Sequence, residues 1–203
     1  MKDIEVILFD LGGVLVELDG QPIQNSWWNT PESSDENWKR WLTSSLSQEF
    51  EKGTIGPEEF ARQAVIEFNL TISAELLLQR FEEWVLGFYP GVLEILQKLS
   101  RRYTIGVYSN ITEVHWPILS NQLEDTRSVS HYFASYKMGM AKPDPDSYIW
   151  VVEKMGVTPH QVLFLDDNQI NIEGAQSIGI NAHVVKGPVD MENFLRANQI
   201  LEN

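Results

Sequence analysis

Short runs of uninterrupted apolar residues alternate along this chain with longer stretches in which apolar positions recur every three or four residues. The runs "EVILF" from Glu5, "YTIGVY" from Tyr103, "QVLFL" from Gln161 and "AHVVK" from Ala182 predict strands buried on both faces. Between them, "PGVLEILQKLSRR" has a start signal in Pro90 and Gly91, an apolar stripe through Val92, Leu93, Leu96 and Leu99, and basic residues in its last turn. "DPDSYIWVVEKMG" opens on acids and Pro145 and stops at Gly156, while "NQINIEGAQSIG" and "DMENFLRANQIL" follow the same plan. Strand followed by helix, repeated, predicts the α/β class: a doubly wound, Rossmann-like parallel sheet with helices on both faces.

From Glu17 to Tyr89 the pattern is helical, with no convincing strand. Asp35 is placed to cap a helix carrying Trp38, Trp41, Leu42, Leu46 and Phe50. Pro57 opens a second, with Phe60, Ala64, Val65 and Phe68 on one face, and Ser73 caps a third that runs through Leu77, Phe81, Trp84 and Val85. A structureless loop of this length does not suit a compact domain, so a small helical domain is predicted at 17–87, inserted into a core made of 1–16 and 88–203. The helical spacing of Trp38, Trp41 and Trp84 assigns them to packing. Trp27 and Trp28, outside any periodic pattern, are the pair expected to offer a ring to a pocket.

In a doubly wound sheet, ligands bind beyond the carboxyl ends of the strands. There the first strand delivers Asp10, "IGVYSN" delivers Ser109 and Asn110, and "VLFLDDN" delivers Asp166 and Asp167. The loop "MGMAKPD" places Lys142 just before a proline that stiffens it. Three carboxylates at one rim repel each other unless a cation lies among them, and a hard divalent ion such as Mg2+ suits oxygen ligands. With Lys142, Ser109 and Asn110, such a site fits a phosphate group.

The segments "FDLGGVLV", "VYSN", "MAKPDPDSY" and "LFLDDNQINIEGAQSIGI" resemble, in order, the four motifs of the haloacid dehalogenase (HAD) superfamily. "EKGTIGPEEF" and "YPGVLEIL" resemble its type-one cap and the return to the core. Within the superfamily the chain is most similar to the bacterial α-glucose-1-phosphate phosphatase branch, and next to the N-terminal phosphatase domain of soluble epoxide hydrolases. The resemblance implies a Mg2+-dependent phosphatase acting on a small phosphorylated metabolite such as a sugar phosphate. Asp10 would be the nucleophile that becomes an aspartyl phosphate. The ion would be held by Asp10, the Gly12 carbonyl and Asp167, with Asp166 orienting the site, while Ser109, Asn110 and Lys142 grip the phosphoryl oxygens. Family phosphatases usually carry an aspartate two residues after the nucleophile as general acid, and here that position is Gly12. Glu17, Asp19 or a bound water are left as candidate proton donors.

Composition narrows the alternatives. At 203 residues and 43% hydrophobic, the chain can bury a full core. It has no cysteine, which removes thiolate chemistry and suits a cytoplasmic location, and His115, His131, His160 and His183 lack ligand spacing for zinc. A net charge of −14 argues against nucleic acid and anionic membranes as partners. No signal peptide is legible, no apolar stretch reaches the roughly eighteen residues of a membrane span, and oligomeric state is left open. Two other functions stand beside the phosphatase. A 2-haloacid dehalogenase would make the second metal carboxylate superfluous, and Gly12 keeps open a non-catalytic regulator or scaffold.

Overall fold

The computed structural model describes residues 3–30 and 33–202. In chain order the elements are β1 (Val6–Phe9), β2 (Val16–Leu18), α1 (Ser34–Thr43), α2 (Ser45–Glu51), α3 (Pro57–Glu67), α4 (Ala74–Glu82), β3 (Val85–Phe88), α5 (Val92–Leu99) and β4 (Thr104–Ser109). They continue with α6 (Trp116–Thr126), β5 (His131–Ala134), α7 (Ser135–Met138), α8 (Pro145–Met155), β6 (Val162–Asp166), α9 (Gln169–Ser177), β7 (Asn181–Val184) and α10 (Gly187–Ala197). Five strands form one sheet in the order β5-β4-β1-β6-β7, every pair parallel, as the doubly wound class requires. β1 lies at its centre with β4 on one side and β6 on the other, so the chain reverses direction across the sheet beside β1. That is where a crevice opens above the strand ends.

Alternation along the strands divides the core. Ile7, Phe9, Val107 and Leu165 face α5, α6 and α10, where Leu96, Leu123 and Leu195 are fully buried. Leu8, Tyr108 and Phe164 face α8 and α9 through Tyr148, Val151 and Ile172. A third core belongs to the helical insertion alone, with Trp41, Phe50, Phe60 and Phe81 at its centre. Phe50 and Phe60 stack at 4.1 Å, and Trp41 meets Phe60 edge-on at 5.9 Å.

The structure corrects the sequence reading in four places. The helix expected from Asp35 through Phe50 is two helices: the Ser33 hydroxyl accepts from Glu36 N–H to cap α1, with Asp35 in its first turn. Ser44 then breaks the run and accepts from Ser47 N–H to cap α2. Ser73 caps α4 as expected, but that helix ends at Glu82, so Trp84 and Val85 lie beyond it. Val85 begins β3, which pairs antiparallel with β2 to carry the chain out of the sheet and back, so the stretch between Glu17 and Tyr89 is not free of strand. Finally β5, a strand not predicted, closes one edge of the sheet. It pairs with β4 alone and His131 and Tyr132 are half-buried, so it lacks the fully apolar signature of the central strands.

Candidate active site

Asp10 follows β1 directly, and its N–H continues the ladder onto Leu165 O at 2.9 Å, so the sheet fixes its main chain. In the neighbouring strand of the sheet, Asp166 closes β6 and is fully buried, while Asp167, one residue on, turns to the cavity side. Lys142 bridges the two elements. Its Nζ lies 2.9 Å from Asp10 Oδ1 and 2.6 Å from Asp166 Oδ2, and donates to Tyr108 O at 3.2 Å. The rings of Tyr108 and Phe164 face the same ammonium, each 5.4 Å away.

Each member is held by a second contact. Asp166 accepts from Asn168 N–H at 2.8 Å and from the Asn171 carboxamide at 3.1 Å. Asn110 clamps Lys142 at both ends of one residue: its Oδ1 accepts Lys142 N–H and its Nδ2 donates to Lys142 O, both at 2.9 Å. The Asn110 carboxamide is therefore committed to Lys142, a use that reading it as a phosphate ligand did not foresee. Ser109 is buried at the end of β4 with its hydroxyl in hydrogen-bonding relation to Asp10.

The electrostatics follow from burial. Desolvation raises the Asp10 carboxyl above its ordinary range, with Lys142 opposing and Asp166 adding to the rise. Asp167 is pushed up to about 7, first by burial and then by the negative charges of Asp10 and Asp166. Burial works against the Lys142 charge, yet Asp10 and Asp166 hold its proton well above the ordinary lysine range.

This donor set suits a hard divalent cation. Carboxylate oxygens of Asp10, Asp166 and Asp167 lie within 4.8 Å of one another. Asp10 Oδ1 is buried and, although close to Lys142, has no well-directed hydrogen bond among the described residues. Gly13 adopts φ +70°, and a Cβ there would strike the Asp167 carboxylate, so only glycine lets Asp167 come this close to the Asp10 loop.

Above these groups lies a cavity of about 1070 Å3. Asp10, Gly12, Ser109, Asn110, Lys142 and Asp167 line it, and Asp166 lies beneath, buried. The helical insertion supplies the far wall through Trp38, Trp41, Trp84 and Glu51. The expected pocket pair is not the observed one: Trp28 is buried against Phe68, and Trp27 borders a separate, small polar cleft. Glu17 and Asp19 are exposed and do not line the cavity. Glu51 does; it opens the cap-like stretch "EKGTIGPEEF", but the sequence reading gave it no role in the site. Its Oε2 accepts from Asn110 Nδ2 at 3.3 Å, its main-chain O accepts from Ser135 Oγ at 2.5 Å, and burial pushes its carboxyl up to about 7.

A family model described as haloacid dehalogenase-like hydrolase matches residues 4–179. The chain belongs to this family. Among HAD relatives, it is 34% identical over 140 residues to the chloroplastic flavin mononucleotide hydrolase 1 of Arabidopsis thaliana, a match that covers 65% of this chain and 53% of that protein. To the D-ribitol-5-phosphate phosphatase of Bacteroides thetaiotaomicron it is 24% identical over 203 aligned positions, covering 95% of this chain and 97% of that one. Among solved structures it is similar to a HAD family enzyme of Bacteroides thetaiotaomicron in complex with magnesium and inorganic phosphate. That likeness has a TM-score of 0.75 at 27% identity, over 95% of this chain and all of the other.

Proposed function

We propose that this HAD hydrolase is a Mg2+-dependent phosphatase that hydrolyses a small phosphorylated metabolite, a sugar or polyol phosphate, through an aspartyl phosphate on Asp10. The observation that carries the reading is the Lys142 ammonium held between Asp10 and Asp166, with Asp167 completing a carboxylate cluster on one cavity wall. The flavin mononucleotide hydrolase and the D-ribitol-5-phosphate phosphatase among its relatives, and the neighbour holding magnesium and phosphate, support it. Asp10, Asp167 and the Gly12 carbonyl would hold Mg2+, with Asp166 orienting the site, and the bound ion would offset the charge that otherwise keeps a phosphate dianion away from a carboxylate.

The chain's own residues divide the remaining work. Asp10 attacks phosphorus in line and the ester oxygen departs. Lys142, and Ser109 beside it, place donors where negative charge spreads over the phosphoryl oxygens. Asn110 keeps Lys142 aimed through its two main-chain bonds. Water then cleaves the aspartyl phosphate and frees Asp10. Residues 17–87 act as a cap over the core of 1–16 and 88–203. Trp38 and Trp84, with ring centroids 6.3 Å apart, offer an apolar wall to the face of a sugar. With net charge −14, partners are small molecules rather than nucleic acid. Among the described residues no helix is long and apolar enough to cross a membrane, and we place the enzyme in the cytoplasm.

The test is a panel of metabolite phosphates assayed with Mg2+ and with EDTA, repeated with Asp10→Asn. Phosphate release that needs Mg2+ and is lost in the variant is expected, whereas full turnover by Asp10→Asn refutes the assignment of the nucleophile. One observation favours a second reading, a non-catalytic regulator: Gly12 stands where an acid would protonate the leaving group. Tight Mg2+ binding without turnover of any monoester would select it. A dehalogenase would leave Asp167 without a task, and halide release in EDTA would reveal one.

A further inference from the structure

The reaction proposed above expels an alkoxide, and the position that would carry an acid on the nucleophile loop is Gly12. We propose that Glu51, carried by the cap at the end of α2, is the general acid that protonates the leaving oxygen and afterwards the base that deprotonates the attacking water. This inference rests on the phosphatase reading.

Elimination along the cavity wall leads to Glu51. Among the carboxyl groups there, Asp10 and Asp167 belong to the ionic cluster, and Asp144 is exposed with one oxygen capping α8. His115 is buried with both ring nitrogens engaged, Nε2 donating to Phe81 O at 2.6 Å and Nδ1 facing Thr112 Oγ1 at 3.4 Å. Glu51 is left. It faces Asn110, which directly follows Ser109, and it lies close enough to feel the charges of both Lys142 and Asp10. The substrate's ester oxygen points away from Asp10 in an in-line attack, toward the wall that the cap supplies.

The surroundings keep this carboxyl suited to proton transfer. Glu51 is the last residue of α2, where unpaired carbonyls disfavour negative charge. Its other polar neighbours are the Trp41 indole N–H and the Asn110 carboxamide, both of which oppose the effect of burial. Lys142 does the same at longer range and Asp10 the reverse. The balance, near neutrality, is where a group that must both give and take a proton works best. Protons balance over the cycle. Glu51 gives its proton to the ester oxygen as the P–O bond breaks and Asp10 bonds to phosphorus. It then takes one from the water that attacks phosphorus and breaks the bond from phosphorus to the Asp10 oxygen, and returns to its starting state.

Glu51→Gln keeps the shape and the acceptor for Asn110 but removes the proton. With saturating Mg2+, kcat on sugar and polyol phosphates is expected to fall by about 10²- to 10⁴-fold. On p-nitrophenyl phosphate, whose leaving group needs no proton, first-turnover release of p-nitrophenol should change less than about threefold, while steady-state turnover slows because the variant also lacks the base for the second step. The alkaline limb of the kcat–pH profile on alkyl esters should vanish with it, while Glu51→Asp retains a limb. In the wild type, rates over a series of esters graded in leaving-group acidity should be nearly flat. Equal loss of first-turnover product release on both ester classes would show a positioning role through Asn110 and Lys142. Unchanged alkyl turnover in Glu51→Gln, or a steep wild-type series, would likewise overturn the inference. Absence of turnover on every monoester would instead overturn the phosphatase reading beneath it.

Discussion

His115 joins the core to the cap, and its protonation offers a direct measure of how firmly. The ring is 2% exposed at the start of α6, within 4.5 Å of the Phe81 ring and 5.7 Å of Trp84, with Nε2 donating to the Phe81 carbonyl near the end of α4. Because a carbonyl only accepts, Nε2 carries the proton and Nδ1 is the site a second proton would take. Burial pulls the imidazole down to about 4, the Phe81 bond only partly opposing, against an ordinary value of 6.5. The unfolded chain therefore binds more protons than the folded one between these values, and stability falls as pH falls through that window. The full difference corresponds to about 3 kcal/mol, and at pH 5 about 2 kcal/mol of it is already lost. Raised carboxyls at Asp10, Glu51 and Asp167 contribute with the opposite sign, so the effect is isolated by difference. Urea unfolding of wild type and His115→Gln from pH 7.5 to 4.5 is the assay. Wild type should be the more stable at pH 7.5 and lose about 2 kcal/mol relative to the variant by pH 5. Parallel stability curves for the two proteins would refute the reasoning, since they require a histidine that titrates equally in both states.

The remaining predictions concern the ionic cluster. Lys142→Met strands Asp10 and Asp166 without their cation and should cost about 3–5 kcal/mol near neutral pH. The loss shrinks on acidification as a carboxyl takes up a proton, and urea titrations at two pH values read it. Asp167→Asn should abolish Mg2+ binding in calorimetry yet raise thermal stability in EDTA at pH 8. There the wild-type carboxylate is ionised among like charges; below its raised value of about 7 the gain fades, and toward pH 4 it disappears. Gly12→Asp has room if the Leu18 side chain yields slightly, since a Cβ there meets only Leu18, at 3.1 Å from Cδ1. In a Glu51→Gln background it should recover part of the lost alkyl phosphatase rate, measured as phosphate release.

The positions of Asp10, Ser109, Lys142, Asp166 and Asp167 were legible in the chain because their signals are local. Each ends or follows a strand or stands beside a proline, and the doubly wound arrangement sends all strand ends to one side. Helix starts at Ser73 and Pro145 were readable for the same reason, since a cap and its partner lie within one turn. Residue type could not say that Asn110 would spend its carboxamide on Lys142, 32 residues away. Nor could it show that Ser44 would split a helical stripe in two.

What only the tertiary structure decided is which cap side chain meets the strand ends. Glu51 reaches Asn110 across 59 residues and Ser135 across 84, and β2 pairs with β3 from opposite ends of the insertion. Short-range periodicity carries no record of such meetings. They are set by how two separately packed cores dock, and Glu51 acquires its raised carboxyl only when that docking removes water from it.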